Sequence, residues 1–249
     1  MATTAALTAR RPRRRRLWQL CGVIALVAVG VAVLVATSPS ATRATLPIRG
    51  PHGDVALVDA TLGAIPQHAN MLGSPNAPVT LEYFGDLECP YCREFTVYAL
   101  PAIIGRWVRT GRLRIIYRSM ETATADPRVW ELQQVAALAA GHQNKMWYFI
   151  ELFYHEQHLE NSGYVTERYL QGLAQQVPRL NLPQWETDRN DPALAAAVRA
   201  DESTAKKVRI PGTPGLFFGR TGGGLTLYRA PSLSRPAGFD RVIEGLLQA

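Results

Sequence analysis

The sequence predicts an α/β domain whose sheet is interrupted by a block of helices, with one apolar span ahead of it. Three observations predict this. An apolar run, Val79 to Phe84, hands over to a helical pattern at Cys89-Pro90-Tyr91-Cys92. Helical periodicity dominates from about residue 127 to about 207, and strand-like runs flank it on both sides. Ahead of all this, residues 17–36 carry no charge.

The N-terminus explains the charge balance. The 249-residue chain has a formal charge of +7, but Arg10, Arg11, Arg13, Arg14, Arg15 and Arg16 cluster in one segment. Without them, 21 basic residues face 20 acidic ones, so the body of the protein is nearly neutral and no nucleic-acid partner is implied. The uncharged stretch Leu17 to Ala36 has twenty residues. At 1.5 Å each they span about 30 Å, the thickness of a bilayer core. Arginines on its N-terminal flank hold that end in the cytoplasm. The expectation is a single-pass cell-membrane protein with an extracytoplasmic domain. A cleaved signal is the competing reading, but its apolar region is normally shorter and no small-x-small site precedes Thr37. The segments read as a basic cytoplasmic stretch (1–16), an anchor (17–36), a linker rich in Ser, Thr, Pro and Ala (37–53) and one domain (54–249).

Apart from Cys21 in the anchor, the only cysteines are Cys89 and Cys92. A structural framework in an oxidising compartment uses more, so one close pair reads as a working site. A strand-to-helix junction puts Cys89 at a helix N-terminus, where unpaired N–H groups and the helix dipole favour a thiolate. Cys92 lies one turn further in. Pro90 suits the first helical turn because it lacks an N–H and has φ near the helical value. Zinc would need two more ligands, so no metal is expected.

The remaining elements follow in order. Asp54 to Leu62 is read as an edge strand. Gly73 to Pro78 is turn chemistry before the strand Val79–Phe84. Phe95, Tyr98, Ala102, Ile103 and Trp107 mark a helix that Pro101 should kink and Gly111 should end. Leu113 to Tyr117 is a second strand. Val129, Leu132, Val135 or Ala136, and Ala139 mark an amphipathic helix. Met146 to Tyr154, almost wholly apolar with Glu151 its only charge, reads as a buried one. Thr166 caps a third helix and Asp191-Pro192 opens a fourth. His155 and His158 read as surface histidines. Leu216-Phe217-Phe218 and Leu225 to Tyr228 form a hairpin across Gly222-Gly223-Gly224, and a helix from about Pro236 to Leu247 closes the chain.

Glu82 to Cys92, Gly212-Thr213-Pro214 and the helical block between them together resemble the thioredoxin superfamily, and within it the bacterial exported, DsbA-like thiol-disulfide oxidoreductases. The resemblance covers about residues 72–249. It implies a thioredoxin-like fold with an inserted helical domain at about 127–207. It implies Cys89 as the exposed nucleophile, Cys92 as the resolving thiol, and Pro214 as a cis-proline. Pro90, Tyr91, Thr213 and Pro214 would then face substrate. It also implies a buried acid six residues before the first cysteine. Here that position is Tyr83, and Glu82 lies one residue further back. Glu82 can take the acid's place only if a bulge near Phe84 and Gly85 restores the alternation of faces.

The expected function is a membrane-tethered enzyme that forms disulfides in exported proteins by exchange at Cys89–Cys92. It needs no dissociable cofactor, and a membrane partner linked to quinone would reoxidise it. An isomerase or reductase of the same fold is the alternative, and beyond enzymes a folding helper or copper-handling module. Arg93 favours the thiolate, and Asp86 and Glu88 disfavour it.

Overall fold

The computed structural model describes residues 51–249. The proposed anchor, the basic segment and most of the linker lie outside the described residues. No helix of the described residues is long and apolar enough to cross a membrane.

The first described element corrects the sequence reading. Pro51–Leu62 is a helix, α1, not an edge strand. Val55, Val58 and Leu62 recur at helical spacing and pack into the core. Arg109 donates to the carbonyls of Ala60, Thr61 and Gly63 and so satisfies the open end of this helix.

Among the described residues six strands form one sheet: β1 (Gln67–His68), β2 (Met71–Leu72), β3 (Val79–Gly85), β4 (Leu113–Ser119), β5 (Gly215–Arg220) and β6 (Thr226–Leu227), in the spatial order β1-β2-β4-β3-β5-β6. Only β3 and β4 are parallel, and a helical crossover, α2, joins them. It runs from Pro90 to Val108, with α-helical turns at Pro90–Glu94 and Leu100–Ile103 and π-helical turns at Phe95–Ala99 and Ile104–Val108. Pro101 has no N–H to offer the preceding turn, and Leu100 N–H bonds the carbonyl of Phe95, one residue beyond α-helical spacing. The wide turns shift the buried face to Phe95, Ala99, Leu100, Ile103, Ile104, Trp107 and Val108. Tyr98 and Ala102, expected on that face, are exposed. Gly111, with φ +71°, ends the run.

Between β4 and β5 lie five helices: α3 (Pro127–His142), α4 (Met146–His155), α5 (Glu167–Gln176), α6 (Leu182–Asp188) and α7 (Pro192–Lys207). Asp126, Thr166, Asn181 and Asp191 cap four of them with side-chain oxygens. The sequence reading missed α6, which is held by Trp185 donating to the carbonyl of Ala136 at 2.8 Å. Met146 to Tyr154 of α4 is buried throughout. The last helix, α8 (Ala237–Gln248), returns Phe239 and Ile243 to the core, and its Asp240 accepts from the Trp107 indole at 2.6 Å.

The pairing of β3 decides which side chains face the active site. Its register with β4 runs without a break from Val79↔Leu113 to Gly85↔Ser119, and with β5 from Val79↔Arg220 to Phe84↔Gly215. No residue is inserted, so there is no bulge. Val79, Leu81 and Tyr83 face the main core, while Thr80, Glu82 and Phe84 face the other side, where Phe84 packs with Met120, Ala205 and Ile210. Gly85 therefore serves no bulge, but the position leaves no room for a side chain. A Cβ there would lie 2.8 Å from the ring of Tyr117.

Candidate active site

Cys89 is the N-cap of α2, with extended φ and ψ of −69° and 120°. Its sulfur accepts the N–H of Cys92 at 3.4 Å, and its thiol donates to the carbonyl of Thr213 at 3.5 Å. The Thr213–Pro214 bond is cis. The fold thus brings together two segments 121 residues apart, Cys92 to Thr213, at one end of the sheet. Both cysteines are thiols. Cys89 is 3% exposed and Cys92 wholly buried, whereas Tyr91 is 62% exposed. Tyr91, Thr213 and Pro214 line one surface cavity of about 270 Å³ together with Leu216, Tyr228 and Leu233.

The two thiols are electrostatically unlike. A hydrogen bond from the Cys92 thiol lowers the pKa of Cys89 most. Burial opposes this, and Thr213 with the N–H groups of Cys92 and Tyr91 adds to it, leaving Cys89 at about 7. Burial, and then the neighbouring Cys89, push Cys92 well above the ordinary thiol range. Arg93, expected to support the thiolate, instead donates to the carbonyl of Tyr154.

Glu82 is not part of this constellation. It faces the opposite side of the sheet and pairs with Arg118 at 3.1 Å, and Arg118 also pairs with Asp201 at 3.1 Å. The cause is the unbroken register of β3: an even offset from Thr80 keeps Glu82 on the Thr80 face. Tyr83 occupies the position expected for a buried acid. Its hydroxyl donates to the Cys92 carbonyl at 3.4 Å and meets Thr96 Oγ1 at 3.1 Å. Tyr117 and Tyr154 join it, and burial raises all three phenols well above their ordinary pKa. Dry, protonated phenols therefore surround Cys92.

Sequence reasoning missed the residues that hold the loops. Asp86 is completely buried. Its Oδ2 accepts the N–H groups of Thr122, Ala123 and Thr124 at 2.8–3.0 Å. Its Oδ1 accepts Glu88 N–H at 3.1 Å and the Thr124 hydroxyl at 2.6 Å. Asn161 donates its N–H to Glu88 Oε1, and Gln157 donates to the carbonyls of Leu87 and Cys89. Glu88 apart, these partners lie 36 to 73 residues from the residues they hold, and no local pattern announces them. Nor is His155 a surface residue. Its side chain is 9% exposed and lies 4.0 Å from both Asp54 and Glu151. Glu151 is buried on the apolar helix α4, and its pKa is raised to about 8 by that burial. His158 stacks on Tyr164. Among the described residues no cluster could hold a metal ion.

Comparison with known proteins agrees with this geometry. The thioredoxin family model matches residues 67–222, more than half of the chain. The chain belongs to the thioredoxin family. Within it, the chain is similar to disulfide bond formation proteins and shares its fold with solved DsbA structures. A probable disulfide bond formation protein D of Bacillus anthracis is 26% identical over 149 residues, which are 59% of this chain and 67% of that protein. Among solved structures of this thioredoxin family type, oxidised BdbD of Bacillus subtilis has a TM-score of 0.63 at 20% identity, covering 74% of this chain and 98% of that one. The Wolbachia pipientis protein α-DsbA1 has a TM-score of 0.61 at 18% identity, covering 75% and 92%.

Proposed function

We propose that Cys89 and Cys92 form disulfides in exported proteins by exchange, with Cys89 as the attacking and attacked sulfur. The observation that carries this reading is Cys89 at a helix N-cap, facing the Thr213 carbonyl, with Cys92 buried one turn in. In the oxidising direction, a substrate thiolate attacks Cys89 of the Cys89–Cys92 disulfide and Cys92 leaves. Its raised pKa draws a proton onto it. A second substrate thiolate then attacks the substrate sulfur of the mixed disulfide and expels Cys89 as the thiolate its surroundings favour. Two electrons pass from substrate to enzyme, which is left as the dithiol. Pro90, Tyr91, Thr213 and Pro214 take the substrate backbone beside the sulfur.

Residues 17–36 anchor the enzyme in the cell membrane, and the linker, residues 37–53, tethers the domain on the outer side. A membrane partner that passes electrons to quinone restores the disulfide. The names of the relatives support the oxidising direction. A second reading, isomerase or reductase, is favoured by one observation. Cys89 at about 7 is stabilised to the degree of thioredoxin, about 7, rather than of DsbA, about 3.5.

Two measurements test the proposal. Cys92→Ser should accumulate mixed disulfides with cysteine-containing exported proteins, and Cys89→Ser should accumulate none. The opposite pattern would overturn the assignment of the two sulfurs. The reduction potential of the pair separates the directions, since tenfold in the exchange equilibrium is about 30 mV.

A further inference from the structure

We propose that Asp86 is the positioning residue of this site. Its carboxylate fixes the Thr122–Thr124 loop, and through the Thr122–Thr213 hydroxyl pair it sets the segment that faces Cys89 Sγ. The proposal rests on the reading of Cys89 as the reacting sulfur.

A carboxylate with no water around it is costly unless its lone pairs are filled. Asp86 fills them with four backbone N–H groups and one hydroxyl, and three of the N–H groups converge on a single oxygen. That pattern demands an acceptor and tolerates no donor. It folds residues 122–124 around one point. Gln133, on α3, donates to Thr124 Oγ1 at 2.7 Å and braces the same point from behind. The Thr122 side chain then projects outward and its hydroxyl meets that of Thr213. Thr213 in turn meets the motif through its carbonyl, which accepts the Cys89 thiol. The chain of contacts is thus Asp86, the Thr122–Thr124 backbone, Thr122 Oγ1, Thr213, Cys89.

The Thr122 hydroxyl has one proton, and the Asp86 carboxylate takes the Thr122 N–H rather than this O–H. Given to Thr213 Oγ1, that proton ties the Thr213 side chain to the loop and holds the segment whose carbonyl meets the sulfur. Thr213 is among the groups that favour the Cys89 thiolate. Asp86 therefore acts on the sulfur in a direction opposite to its charge. As a bare anion it would oppose a thiolate; as the anchor of the loop it supports one.

The opposite signs make the test decisive. Asp86→Asn keeps shape and volume but turns an N–H₂ group onto donors. In the reduced protein, thiolate absorbance followed against pH should then titrate at higher pH than in the wild type, with about fivefold less thiolate at pH 7. Thr122→Val, at an exposed position, should move the titration in the same direction by a smaller amount, and Thr122→Ser should restore it. A merely structural role would lower the melting temperature and leave the titration in place. A folded Asp86→Asn protein titrating at or below the wild-type pH overturns the proposal, because the direct field of the charge would then dominate. Thr122→Val indistinguishable from wild type overturns it as well, and that pair decides the matter alone should Asp86→Asn not fold. The readout is a property of the reduced protein and needs no substrate. It can fail while disulfide exchange stands, and exchange can fail while it holds.

Discussion

The depressed pKa of Cys89 depends first on Cys92, and removing that one thiol tests the electrostatics of the site. At about 7, half of Cys89 is thiolate at neutral pH. In Cys92→Ala the largest stabilising hydrogen bond is gone. The N-cap geometry, Thr213 and the N–H groups of residues 91 and 92 remain. If the whole depression were lost, Cys89 would return to about 8.5 and only about 3% would be ionised at pH 7. The remaining donors set the other bound, so the thiolate population should fall roughly three- to fifteenfold. Cys92→Ser, which keeps an O–H donor at nearly the same place, should stay close to the wild type. Alkylation of reduced protein by iodoacetamide as a function of pH measures this, with the midpoint as the readout. The plateau rate at high pH should rise slightly, because a more basic thiolate is more nucleophilic. A Cys92→Ala midpoint at or below the wild-type value would refute the reasoning and assign the depression to the helix N-terminus alone.

Four further outcomes follow from the same geometry. The folded pKa of Cys89 lies below its unfolded one, so its contribution to the stability of the reduced protein is present above about pH 9 and is lost as pH falls through 7. It should reach about 2–3 kcal/mol, and Cys92, shifted the other way, should erode stability above pH 9; urea denaturation of the dithiol form from pH 6 to 10 checks both. Glu82→Gln should leave the rate at which Cys92 resolves a mixed disulfide unchanged while costing at most about 1 kcal/mol, since the Arg118 pair is partly exposed and Asp201 still holds Arg118; stopped-flow resolution and thermal denaturation measure the two. Glu151→Gln should be more stable than the wild type at pH 8 by about 1–3 kcal/mol and equal to it near pH 4.5. The buried carboxylate is raised to about 8, so its cost accumulates as pH rises above the unfolded value; melting at both pH values shows the difference. Gly85→Ala should destabilise the domain by about 1–3 kcal/mol, because its methyl meets the Tyr117 ring, itself wedged against Tyr83 and Trp147; chemical denaturation gives the value.

From β3 onward, α6 excepted, the order of elements was legible in the residues because its signals are local. A proline-bearing turn after an apolar run, helical spacing in α3 and α4, and Thr166 or Asp191 before a helix each act within a few residues. The errors arose where a local signal admitted two outcomes. Val55, Val58 and Leu62 fit α1 only once α4 and Arg109 are there to receive it. The face of Glu82 depended on whether one residue was inserted into β3, and that is settled by pairing with β4 and β5 on either side. A backbone paired on both edges cannot take up an extra residue without leaving hydrogen bonds unmade, so register outweighed the demand for an acid beneath the dithiol. The phenols of Tyr83, Tyr117 and Tyr154 and the clamp at Asp86 come from strands, loops and helices far apart in the chain. Only tertiary packing brings them together, because burial is what turns an aspartate between a strand and a helix from a surface charge into the anchor of a loop.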